Sequence, residues 1–261
     1  MQPSKSGTAR RSPLKANPLH NPGESVGRYM KELSDLDMNF YLVVGCCVLL
    51  FIFIEWVQYF SRQRIHPVTF TVLGLLVIGY CTYKMLHTRK KLKLLKQGMD
   101  GEKAVGQYLE LLREKGCAVF HDIDCGGFNL DHVIISERGI FVVETKTLSK
   151  PVRGNPTIKY DVSGITAGNV RLNPNPVEQV CAGADWLRQL LSESTGKKFQ
   201  VRSAVVFPGW YVESSAPHGA AGTWVMNPKG LPSFIKNERL SISREDKKLA
   251  AYHLSRYIRT T

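Results

Sequence analysis

Residues 131–146 read DHVIISERGIFVVETK. The stretch is mostly apolar, yet it places an aspartate at one end and Glu144-x-Lys146 at the other. If the chain turns at Glu137-Arg138, the two halves form an antiparallel hairpin and Asp131 falls opposite Glu144. Lys146 lies two residues beyond Glu144, so both side chains share one face of the strand. Two facing carboxylates repel. Protonation of one relieves the repulsion, and so does a divalent cation between them. Hard oxygen ligands with open positions suit Mg²⁺ or Mn²⁺, which keep several waters. A lysine beside such a site can orient or deprotonate a bound water, which is the equipment for metal-assisted phosphodiester hydrolysis. The same three residues could also be surface carboxylates with a salt-bridge lysine.

Two further polar residues are candidates for the same chemistry. Glu102 shares a helical face with Val105, Leu109 and Leu112, so it points with the core side; an acid at a helix start is also favourable by itself. Gln179 lies in the first turns of a second helix, behind NPNP, where an exposed polar residue would be equally ordinary. Lys150, Arg153, Lys159 and Arg171 follow the Glu-x-Lys strand in a loop rich in Gly and Pro, and are candidate phosphate contacts.

The elements that carry these residues follow from periodicity. DGEKAVGQYLELLREKG reads as an amphipathic helix stopped at Gly116. CAVFHDID and the two halves of the hairpin read as three strands, and apolar side chains on both faces of the hairpin mark it as central. A loop is expected up to about residue 175. NPVEQVCAGADWLRQLLSES reads as a helix, QVRSAVVFPG and GTWVMN as strands, and SREDKKLAAYHLSRYIR as a final helix. The order α, β-β-β, α, β, β, α describes an α/β domain over residues 100–261, large enough for its own core.

Upstream, residues 39–60 and 67–86 are uniformly apolar and approach the ~20 residues that span a bilayer. Aromatic residues cluster at the ends of the first, as in an interfacial belt. The connector is short, so residues 38–88 are expected to form a hairpin with both ends on one side. HTRKKLKLLK follows, with five Lys/Arg in ten residues. Residues 89–99 therefore read as a basic juxtamembrane linker, and the positive-inside tendency puts both termini and the domain in the cytoplasm, at the inner membrane. Glu55 lies beside Trp56 near the helix end, where its carboxylate can snorkel to the interface. Residues 1–37 are polar and are expected to be a mobile tail with a short helix around VGRYMKEL. No signal-peptide pattern precedes the apolar run.

The charge is +13, but its distribution matters more. Residues 1–99 hold 14 Lys/Arg against 5 Asp/Glu, whereas residues 100–261 hold 21 against 17. The basic excess thus surrounds the apolar segments, where anionic lipid is the nearer partner. The six cysteines form no C-x-x-C pair, which argues against a zinc site or a disulfide framework.

Taken in order, GEKAVGQYL, LDHVIISERGIFVVETK and NPVEQV resemble the nuclease-related domain, NERD, a branch of the PD-(D/E)XK nuclease superfamily. The resemblance covers about residues 98–210. It implies a restriction-endonuclease-like mixed sheet core flanked by helices, preceded here by two transmembrane helices. It implies that Asp131 and Glu144 hold Mg²⁺ or Mn²⁺ and that His132 is the usual neighbour of the aspartate. It implies that Lys146 positions water or stabilises charge. Gly101-Glu102 and the Asn175-Pro176…Gln179 set match the family's other motifs. The expected partners are nucleic acid, with DNA ahead of RNA, and the bilayer; a homo-oligomer is left open. A catalytically weak nucleic-acid or protein-binding module tethered to the membrane is the alternative. A channel or transporter fits poorly, because two helices with one acid offer no pathway unless they oligomerise.

Overall fold

The computed structural model describes residues 18–61, 67–150, 157–161, 164–168, 170–215 and 222–260. Helix α1 (Glu24–Leu33) passes through a π-helical turn at Ser34–Met38 into α2 (Asn39–Phe60). No residue of α2 is fully buried, and away from the side that meets α3 its apolar side chains face outward, as a lipid-facing helix requires. Helix α3 (Pro67–Glu114) packs along it. Gly74 permits the close crossing, since a Cβ there would come within 2.5 Å of Ile52 Cδ1. The Trp56 indole N–H donates to Thr71 Oγ1 at 2.9 Å and pins the far end of the pair. Both helices are candidate membrane spans by length and composition.

Two expectations change here. The basic segment 89–99 is not a break between helices. It lies inside the 48-residue helix α3, because its Lys, Leu, Gln and Met residues are strong helix formers and no proline interrupts them. The tail is also folded from Pro18 onward: α1 covers the expected VGRYMKEL helix and packs on α3.

The domain's main sheet has five strands in the order β1-β2-β3-β7-β9: β1 (Ala118–Asp124), β2 (Asn129–Ser136), β3 (Gly139–Thr145), β7 (Val201–Val206) and β9 (Trp224–Met226). The first three pair antiparallel, while β3, β7 and β9 run parallel, so the sheet is mixed. The hairpin turns at Glu137-Arg138 with Ser136 opposite Gly139 and His132 opposite Val143, the expected register. Every residue of β3 is buried. One face carries Val133, Ile135, Val142 and Val205 against α4 (Pro176–Thr195) and α6 (Arg244–Thr260). The other carries Ile134, Phe141, Val143 and Val206 against the end of α3 and α5 (Leu231–Asn237). Helix α5 has no counterpart among the elements expected from periodicity.

The segment expected to be a loop up to residue 175 contains a second sheet. Its order is β6-β5-β4-β8, from β4 (Thr157–Asp161), β5 (Gly164–Ala167), β6 (Val170–Arg171) and β8 (Tyr211–Ser214). Ile158, Tyr160 and Ile165 point inward and join the core cluster that α4 also packs against, which is why this short sheet forms.

Candidate active site

The parallel strand β7 continues the sheet beyond β3 and pairs Glu144 with Val205 and Thr145 with Val206. Glu144 therefore sits in a fully paired central strand at its carboxyl end. It is 5 % exposed, and its Oε1 lies 2.7 Å from Lys146 Nζ. Asp131, opposite it on β2, accepts a hydrogen bond from the Thr145 N–H at 2.7 Å through Oδ2. Lys146 also donates to Gln179 Oε1 at 2.9 Å. Gln179 is delivered by the first turns of α4, whose start is set by Asn175 capping the Val177 N–H and by Pro176 at the first helical position.

Helix α3 approaches from the other face. Gly101 makes this possible: a Cβ there would lie 1.7 Å from Thr147 Oγ1, so any side chain would force the helix off the strand end. The next residue, Glu102, is thereby brought near Glu144 and Lys146. The structure thus gathers Glu102, Asp131, Glu144, Lys146 and Gln179 at one end of the sheet.

The electrostatics of the cluster are set by burial. Desolvation raises Asp131 well above the usual carboxylate range, and the charges of Glu144 and Glu102 push it further. Glu102 is raised to about 7 by desolvation, then by Asp122 and Glu144. Glu144 is also raised by desolvation, against which Lys146 pulls it down. One lysine therefore faces three acids. A cluster of under-compensated carboxylate oxygens is a donor set that fits a hard divalent cation. Among the described residues no three His, Cys, Asp or Glu side chains are grouped to hold a metal ion by themselves, so water would complete the coordination of an ion at Asp131 and Glu144.

The expected substrate cations are placed differently. Arg153 lies outside the described residues. Lys150 reaches toward Gly209 in the turn after β7. Lys159 on β4 and Arg171 on β6 are aligned across Thr166 on the outer face of the second sheet. Both are exposed. None of these three makes a hydrogen bond or ion pair with the five clustered residues.

Several residues at the site were not singled out from sequence. Asp122 on β1 is 3 % exposed and adopts φ +50, a left-handed conformation rare outside glycine. The register that pairs His121 with His132 and Ile123 with Leu130 sets Asp122 across from Asp131. Its carboxylate accepts from the Ser25 N–H, from Ser25 Oγ at 2.6 Å and from Asn129 Nδ2 at 2.9 Å. An acid within the apolar strand AVFHDID was the available signal. Beneath it, His121 and His132 meet through their Nδ1 atoms at 2.8 Å. Burial pushes both imidazoles down, His132 well below its usual range. Phe128, Trp186 and Tyr257 form a surface row of rings, with centroids 6.2 and 5.4 Å apart, beside the β1–β2 turn.

Residues 97–208 match the family model described as the nuclease-related domain, NERD. No curated protein matches the chain. Among solved structures, SfsA of Pyrococcus furiosus in complex with Ca²⁺ is 20 % identical; the match covers 49 % of this chain and 54 % of that one, with a TM-score of 0.24. Protein VC1899 from Vibrio cholerae is 10 % identical over 92 % of this chain and 58 % of that one, with a TM-score of 0.26. The chain thus spans just over half the length of either neighbour, and at those TM-scores neither bears on the site.

Proposed function

We propose that the chain, whose residues 97–208 match the nuclease-related domain, is a membrane-anchored, divalent-metal-dependent nuclease that hydrolyses phosphodiester bonds of DNA. The observation that carries the reading is the convergence of Asp131, Glu144 and Lys146 at the end of the hairpin. Asp131 and Glu144 would hold Mg²⁺ or Mn²⁺, with Glu102 adding negative charge nearby. Such an ion supplies Lewis acidity and a nucleophilic water at neutral pH.

The chain's own residues do the rest. Lys146 has three N–H donors and among the described residues uses two, on Glu144 and Gln179, which leaves a third for an attacking water or a phosphoryl oxygen. Gln179 holds the ammonium through a second hydrogen bond besides that to Glu144. Its position on a rigid helix keeps the lysine from swinging out to solvent. Lys150, Arg153, Lys159 and Arg171 offer phosphate contacts outside the cluster, where they steer the polyanion and do not touch the reacting atoms.

We further propose that α2 and residues 67–86 of α3 anchor the domain at the inner membrane with both ends cytoplasmic, and that the five basic residues of 87–96 lie at the lipid headgroups. The modest basic excess of residues 100–261 favours a second reading, a tethered binding module with little catalysis. Titrating Mg²⁺ and Mn²⁺ into the full chain separates the two. Binding that Asp131→Ala abolishes supports the metal site, and binding that survives it favours the tether.

A further inference from the structure

We infer that residues 20–25, which precede the first candidate membrane helix, are a strap that positions Glu102 and so forms part of the site. The inference rests on the nuclease reading. Residue 97 begins the family match, so the strap lies wholly outside it.

The strap is held at both ends. His20 Nδ1 lies 2.7 Å from the main-chain oxygen of Asp122. The Asp122 carboxylate takes the N–H and hydroxyl of Ser25, and Asn129 Nδ2 bridges to Ser25 Oγ at 3.0 Å. Ser25 lies in the first turn of α1, so this carboxylate also meets the positive end of that helix and its unpaired N–H groups. The left-handed backbone at Asp122 is a strained conformation for a non-glycine residue, held here by the contacts of its side chain and carbonyl.

Between the two ends the strap lies on α3. A Cβ at Gly106 would come within 2.5 Å of Pro22, and one at Gly23 within 2.8 Å of Met99. Gly106 is four residues after Glu102, so both lie on the same face of the helix. Pro22 and Gly23 therefore cover that face, and the main chain of Gly23, at φ +68, comes close enough to the Glu102 carboxylate to draw its pKa down against the effect of burial. Packed over the face of α3 that carries Glu102, the strap limits where the acid can swing beside Glu144 and Lys146 and screens it from water. The strap then continues through α1 into α2, and Glu102 itself stands on α3. Both groups that set the position of this acid thus extend directly from the two hairpin helices.

The test uses the full chain in detergent micelles, with cleavage of plasmid DNA in Mg²⁺ or Mn²⁺. Ser25→Ala should lower kcat about tenfold with KM little changed, as expected of a misplaced group, and Ser25→Thr should restore it. In the Glu102→Gln background, Ser25→Ala should cost less than about twofold, because the two changes act on one unit. Equal losses in both backgrounds overturn the positioning role. Hydrogen exchange reads the strap without reference to activity: the Gly23 and Ser25 amides should be protected, and Asp122→Asn should release them. Exchange at the open-chain rate in the wild type overturns the strap alone. A wild-type chain that cleaves nothing fails the nuclease reading, and the positioning role falls with it.

Discussion

Replacing Glu102 by glutamine should stabilise the metal-free protein at alkaline pH and leave it unchanged at acid pH. The carboxyl is raised from 4.5 to about 7, chiefly by burial beside Asp122 and Glu144. A group whose folded pKa is raised contributes stability below its unfolded value and loses it as pH rises through the folded value. At pH 8.5 the ionised Glu102 therefore opposes folding, whereas at pH 4 it is protonated in both states. At about 1.4 kcal/mol per pH unit the ceiling is about 3 kcal/mol. Neighbouring carboxylates share protons with it and reduce this to about 1–2 kcal/mol. For a domain of this size that corresponds to a gain of roughly 3–6 °C in Tm. Glutamine has nearly the same shape and keeps an acceptor oxygen, so the packing of the strap on α3 is retained. The assay is thermal unfolding in EDTA between pH 4 and 8.5, followed by fluorescence of Trp186, Trp210 and Trp224, for wild type and Glu102→Gln in parallel. An equal gain at both ends of the range, or a loss at pH 8.5, would refute the claim that Glu102 is a buried, under-compensated acid.

Mg²⁺ at 100 times the dissociation constant measured at pH 8 should raise wild-type stability by about 2.7 kcal/mol at pH 8 and the same concentration should raise it less at pH 6, and Asp131→Ala should erase the gain in the same melting assay. Gly101→Ala should cost about 1–3 kcal/mol as overpacking, because its Cβ meets Thr147 Oγ1, and Thr147→Gly should recover part of the lost Tm. The buried histidines act in the opposite pH direction. Their depressed pKa values give stability above pH 6.5 that is lost as pH falls, so His132→Leu should flatten the acid limb of the stability profile. Lys146→Ala should reduce cleavage by about 10²-fold or more while divalent-cation affinity, measured by calorimetry, is retained.

The hairpin was legible because strand side chains alternate with a period of two. Once the turn falls at Glu137-Arg138, the placement of Asp131 against Glu144 and Lys146 follows from counting. Gln179 was legible through its helix start, where NP punctuates the chain. The strap was not, because its bonds join residues far apart in sequence through main-chain N–H groups, which carry no residue-type signal. The second sheet was hidden by strands of two to five residues separated by glycines, too short for alternation to stand out. The continuity of α3 was masked by composition: a run of lysines reads as a linker, yet lysine is a good helix former and its charge is solvated on a helix lying outside the core.

The central claim is metal-dependent hydrolysis at Asp131, Glu144 and Lys146. The most direct measurement incubates the full chain, in micelles, with supercoiled plasmid, linear DNA and RNA in Mg²⁺, Mn²⁺ or EDTA, beside Asp131→Ala and Lys146→Ala. The account predicts cleavage of DNA that requires the metal and disappears in both variants. Cleavage that persists in EDTA, or that either variant retains at the wild-type rate, would contradict it.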